Sequence, residues 1–98
     1  MRVLLDMDGV LANFPSAFAT FLGADSTTPA DYHAHKMHLV GTDFFSKIPP
    51  FANTVAIVEA VVARFGGYSI CSAPMVEDVE NSTAHKLIWL YHNRCLIL

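Results

Sequence analysis

The chain has 98 residues, of which 53% are hydrophobic and 15% charged, and carries a net charge of −3 at pH 7. One domain is expected at this length, and the apolar content excludes a disordered chain. Six Lys and Arg residues are too few for a broad nucleic-acid surface, and five Gly with five Pro exclude collagen-like and linker sequences.

No membrane span is expected. The apolar run after Arg2 stops at Asp6, and the run from Leu87 is broken by His92, Asn93 and Arg94. Cys71 and Cys95 are too few for a disulfide framework and read as two buried thiols in a reducing compartment. A cytoplasmic location is therefore expected. A mean hydropathy of +0.39 is high for so small a domain. The surplus implies an apolar surface for self-association, with a homodimer as the simplest form.

In chain order, residues 2–5 read as a short parallel strand buried on both faces. Asp6-Met7-Asp8-Gly9 closes it, with Gly9 suited to a tight turn. Phe14, Ala17, Phe18, Phe21 and Leu22 recur at helical spacing, with Pro15 in the first turn. Turn chemistry at 25–29 leads to a short helix expected over 30–40. Residues 43–50 are expected to be irregular, because Pro49 and Pro50 block regular backbone bonding. Asn53 is the expected N-cap of a helix with Val55, Val58, Val62 and Phe65 inward, stopped by Gly66-Gly67. Residues 68–71 predict a second strand, ended by Ser72-Ala73-Pro74. A last helix is expected from Val76 or Glu80 to His92. Its inward residues would be Leu87, Ile88, Leu90 and Tyr91, with Trp89 packed between helix and sheet. Residues 94–98 are expected to open a third strand. Strands alternating with helices give an α/β class with a short parallel sheet.

Ligands of open α/β sheets bind at the carboxyl ends of strands. Asp6 and Asp8 stand at the first such end and Ser72 at the second. Two carboxylates one residue apart suit a hard cation and a phosphate. Asp6 would offer an oxygen to Mg²⁺ and attack phosphorus, while Asp8 would move the proton. An ordinary Asp-Gly turn uses the same residues and stays open as the structural alternative. His33, His35 and His38 have a spacing compatible with Zn²⁺ but no obvious fourth ligand, and an exposed polar face is expected. Phe18 and Phe21 read as core. Phe14 fits either core or a stacking platform, and Lys86 by itself reads as a solvated helix lysine.

The stretch Val3-Leu4-Leu5-Asp6-Met7-Asp8-Gly9-Val10-Leu11-Ala12 resembles the first motif of the haloacid dehalogenase-like superfamily. Within it, the sequence looks most like the 5′(3′)-deoxyribonucleotidases. Asp43-Phe44-Phe45 through Pro49-Pro50, then Ile70-Cys71-Ser72-Ala73-Pro74, then His85-Lys86-Leu87-Ile88-Trp89 resemble later blocks of that group. The resemblance implies a minimal Rossmann-like three-layer fold: a core over 1–13 and 50–98 and a small helical cap insert over 14–49. It implies a Mg²⁺-dependent phosphatase acting on phosphate monoesters, chiefly (deoxy)nucleoside monophosphates, through an aspartyl-phosphate. Asp6 matches the nucleophile and a Mg²⁺ ligand. Asp8 matches the general acid/base, with its carbonyl as a second Mg²⁺ contact. Ser72 and Lys86 match the phosphate-binding hydroxyl and lysine, and Phe14, Phe44 and Phe45 the substrate pocket. No nucleic-acid polymer and no membrane enters as a partner.

The sequence departs from this pattern in two places. It looks truncated before the strand whose paired acids complete the family's Mg²⁺ site, and Ala73 stands where a hydroxyl residue is expected. Glu77, Asp78 and Asp43 are not expected to replace those acids. The first strand would then become a sheet edge open to a second chain. The competing expectation is a catalytically inactive member that binds phosphate or nucleotide, or acts by self-association.

Overall fold

A computed structural model of the protein describes residues 3–95. Strand β1 (Leu4–Asp6) and strand β2 (Ser69–Cys71) form a two-stranded parallel sheet, with Leu4 opposite Ser69, Leu5 opposite Ile70 and Asp6 opposite Cys71. Between and after them lie helices α1 (Phe14–Leu22), α2 (Pro29–His35), α3 (Thr54–Phe65) and α4 (Val79–His92). Single 3₁₀ turns occupy Lys36–Leu39, Phe44–Ser46 and Val76–Asp78. The class is α/β with mixed helices. Among the described residues no helix is long and apolar enough to cross a membrane.

Helix α1 starts where Asn13 Oδ1 accepts the Ser16 amide and Pro15 fixes the first turn, and it ends on Gly23 in the left-handed conformation. Helix α2 opens on a capping box, in which Thr28 and Asp31 satisfy each other's free amides. It then tightens into a 3₁₀ turn, so the helix expected over 30–40 is divided. In α3, Asn53 takes the cap position without a side-chain cap bond, and Gly66 ends the helix at a positive φ.

The core gathers Met7, Leu11, Phe18, Leu39, Phe45, Ile48, Val58, Trp89 and Leu90. Trp89 is fully buried and donates its indole N–H to the Ile48 carbonyl. Residues entering and leaving the segment 14–49 meet: the Asn13 amide donates to Pro49 O at 2.8 Å, and Phe51 N to Leu11 O at 3.2 Å.

Several expected orientations are corrected. Strand β1 is not buried on both faces, since Leu4 is 59% exposed. Of the four residues expected inward on α4 only Leu90 is buried, beside Ser82, Lys86 and Trp89; Leu87, Ile88 and Tyr91 are exposed, because the helix is covered on one side only. Val55 and Phe65 of α3 and Phe21 of α1 are exposed for the same reason. Cys95 is buried but Cys71 is exposed, and both thiols are free. Arg94 lies in a turn and Cys95 in irregular backbone, neither in a strand, and the remainder of the strand expected over 94–98 lies outside the described residues.

Candidate functional site

The chain leaves β1 through a tight loop whose hub is one carbonyl. Met7 O accepts the amides of Leu11 at 2.9 Å and Ala12 at 2.8 Å, with Val10 at 3.4 Å. Gly9, at φ +83, donates to Ala12 O at 2.9 Å. Met7 itself is fully buried. The fold of residues 7–12 therefore fixes where Asp8 stands. A second anchor is Thr54, whose buried hydroxyl donates to Leu11 O at 2.6 Å.

From the opposite side, Lys86 on α4 projects to the end of β2. Its ammonium donates to Asp8 Oδ2 at 2.8 Å, to Ser72 Oγ at 3.0 Å and to Ala73 O at 2.6 Å. It also lies 5.0 Å from the centre of the Phe45 ring, a cation–π contact. Lys86 is 6% exposed, so it is not the solvated helix lysine that its isolated sequence context suggests. Burying an ammonium is tolerable only when it is paired and hydrogen-bonded, as here. Asp8 Oδ1 is buried and has no hydrogen-bond partner among the described residues.

Asp8 and Lys86 border a cavity of about 320 Å³, lined also by Ala73, Met75 and the rings of Phe14, Tyr32 and Phe45. The rings hold one another: Phe14 lies 5.6 Å from Tyr32 and 6.3 Å from Phe45, centre to centre. A larger groove of about 630 Å³, bordered by Val62, Ile70, Leu87 and Ser72, shares Pro74 and Lys86 with it.

Asp8, Ser72, Lys86, Phe14 and Phe45 are thus brought together. Asp6 is not, and Phe44, although it packs on Phe14 at 5.7 Å and on Phe45 at 5.3 Å, does not line the cavity. Asp6 ends β1 in register with Cys71, is exposed, and does not line the cavity; no hydrogen bond joins it to Asp8, Ser72 or Lys86 among the described residues. The alternation of side chains along the strand separates it from the buried Met7. Phe44 turns the other way from Phe45 and borders a separate cavity with Ser16, Thr20 and Lys47.

Tyr32 was not among the residues singled out by sequence. Its signal was the Thr28-x-x-Asp31 capping box, which starts a helix with an aromatic residue in its first turn. Burial, then the Glu77 carboxylate, pushes the Tyr32 phenol above its usual value; Asp8 adds to the rise and Lys36 opposes it. Glu77 forms an ion pair with Lys36, and Asp78 Oδ2 accepts from the Gly41 amide at 2.8 Å and Asn81 Nδ2 at 2.9 Å. Asn81 also donates to Thr42 O at 2.9 Å. Both acids after β2 therefore tie the segment 36–42 to the start of α4.

His33, His35 and His38 are exposed, and the described residues contain no group of three His, Cys, Asp or Glu side chains placed to hold a metal ion. Comparisons with protein-family models, with curated proteins and with solved structures give no match for this chain.

Proposed function

We propose that this protein is a phosphate monoester hydrolase of the haloacid dehalogenase-like type, acting on nucleoside monophosphates. The observation that carries it is Lys86, whose ammonium joins the loop after β1 to the end of β2 through Asp8 and Ser72. A buried cation beside a hydroxyl and an aromatic-lined cavity suits a phosphoryl group with a ring-bearing leaving group.

Mg²⁺ fits the donor set. Asp6 and Asp8 offer hard oxygens, and Asp8 Oδ1 is a buried acceptor in want of a partner. With the Asp6 carboxylate and the Asp8 main-chain carbonyl as ligands, the ion would complete its shell with water. When bound, it would offset the charge on the phosphoryl oxygens. Asp6 attacks phosphorus, forming the aspartyl-phosphate as the ester P–O bond breaks; Asp8 protonates the departing oxygen. Asp8 then takes a proton from water as it attacks phosphorus and releases Asp6. Ser72 and Lys86 hold the phosphoryl oxygens throughout.

The position of Asp6 outside the cavity lining favours a second reading, a phosphate-binding module without turnover. Phosphate release from deoxynucleoside monophosphates with Mg²⁺ separates the two. Turnover lost in Asp6→Asn, with phosphate binding kept, is the expected result. No turnover by the folded wild type removes the hydrolase. Turnover unchanged in Asp6→Asn removes Asp6 as nucleophile.

A further inference from the structure

We propose that Asp8 is a built-in competitor for the Lys86 ammonium, and that exchanging it for the ligand selects doubly charged phosphoryl groups over singly charged anions. This rests on Lys86 and Ser72 being the phosphate-binding residues.

A lysine ammonium has three N–H donors. In Lys86 all three are engaged, by Asp8 Oδ2, Ser72 Oγ and Ala73 O. The Phe45 ring closes over the same group. An incoming anion therefore gains a Lys86 donor only by displacing an acceptor. Ala73 O belongs to the backbone that follows β2 and has no side-chain rotor to move it away. Ser72 Oγ has no reason to leave, because a hydroxyl accepts from Lys86 while donating its own proton to an anion. Asp8 is the group that leaves. It sits on a different loop, its side chain is 29% exposed, and its negative charge repels the newcomer. Its other oxygen has no partner among the described residues that would retain it.

The exchange discriminates by charge. A singly charged anion merely repeats the carboxylate it displaces and leaves Asp8 unpaired. A phosphate monoester above its second ionisation carries nearly two charges and three acceptor oxygens, which serve Lys86 and Ser72 together. Asp8 thus acts as a specificity-determining residue through Lys86, in addition to any role in proton transfer.

The test uses the full chain at pH 8 with EDTA and no divalent cation. Methyl phosphate and dimethyl phosphate are titrated by ¹H–¹⁵N NMR into the wild type, Asp8→Asn, Asp8→Ser and Asp25→Asn. The wild type is expected to bind methyl phosphate at least tenfold tighter than dimethyl phosphate. Both Asp8 variants should bind both ligands tighter, by tenfold or more for dimethyl phosphate, so the ratio shrinks. Asp25→Asn removes the same charge from an exposed loop and should leave the ratio unchanged. A ratio in the Asp8 variants equal to that of the wild type, or weaker binding by them, overturns the exchange while leaving the phosphate site standing. Binding of neither ligand by any variant, in chains with dispersed spectra, removes the phosphate reading of Lys86 and Ser72 and the exchange with it.

Discussion

Lys86 Nζ meets Asp8 Oδ2 at 2.8 Å although 78 residues separate them in the chain. The contact fastens α4 directly to the loop after β1. It is a structural tie as much as a functional one. Lys86→Met should remove the positive charge and leave Asp8 facing the cavity alone. Breaking a fully buried pair costs about 3–5 kcal/mol. Because water reaches the Asp8 side chain, a loss of about 1–3 kcal/mol is expected here. Urea unfolding measures it. Adding Asp8→Asn to Lys86→Met should restore part of the loss, since the stranded charge goes too. A Lys86→Met chain as stable as the wild type would show that the tie carries no stability.

Gly9 is the residue that lets Asp8 point back toward Lys86. Its φ of +83 is a conformation that side chains with a Cβ adopt at a cost, while the space around it is open. Gly9→Ala should therefore destabilise by backbone strain alone, about 1–2 kcal/mol. Gly9→Asn should cost less, because Asn enters this region more readily. A thermal melt of both variants checks the order, and equal melting temperatures for Ala and glycine at this site would contradict it.

Much of this arrangement was legible in the sequence. Helices α1 and α3 announced themselves by periodicity, and α3 also by Gly66 as its stop, while both strands showed as short runs bounded by turn residues. The strand-end rule located Asp8 and Ser72. What the pattern did not fix was which apolar residues lie inward. Leu87, Ile88 and Tyr91 satisfy helical spacing, yet α4 has a neighbour on one side only, so apolar character alone misplaced them. Phe44 and Phe45 are adjacent in a 3₁₀ turn, and nothing in their composition says which ring enters the cavity. The Lys36–Glu77 pair joins residues 41 positions apart, a separation for which no local spacing rule exists.

Thr54 tests how far the Asp8 loop depends on its support from α3. Its hydroxyl, 1% exposed as a residue, donates to Leu11 O at 2.6 Å. The same carbonyl accepts the Phe51 amide at 3.2 Å, so it keeps a partner when the hydroxyl is lost. Thr54→Val preserves shape and should cost about 1 kcal/mol, near the net worth of one hydrogen bond. A carbonyl left without any donor would cost up to about 3 kcal/mol. A measured loss near the upper figure would mean that the Phe51 bond fails as well. Chemical shifts of the Met7 to Ala12 amides report whether the loop moves.

The Lys36–Glu77 pair gives a pH signature with a defined sign. The Lys36 hydrogen bond holds the Glu77 carboxyl below its ordinary value of 4.5. Glu77 in return raises the Lys36 ammonium above its ordinary 10.5. A depressed carboxylate contributes stability above its unfolded value and loses it as pH falls through the folded one. A raised ammonium contributes below its unfolded value and loses that contribution as pH rises through the folded one. The pair should therefore stabilise between these limits and fade on either side. Comparing Glu77→Gln with the wild type by urea unfolding should give a gap that is constant at neutral pH and closes as the pH drops below 4.5. The gap should also narrow in high salt, because both groups lie at the surface. A gap that persists unchanged at pH 2.5 would assign the effect of the substitution to something other than this charge pair.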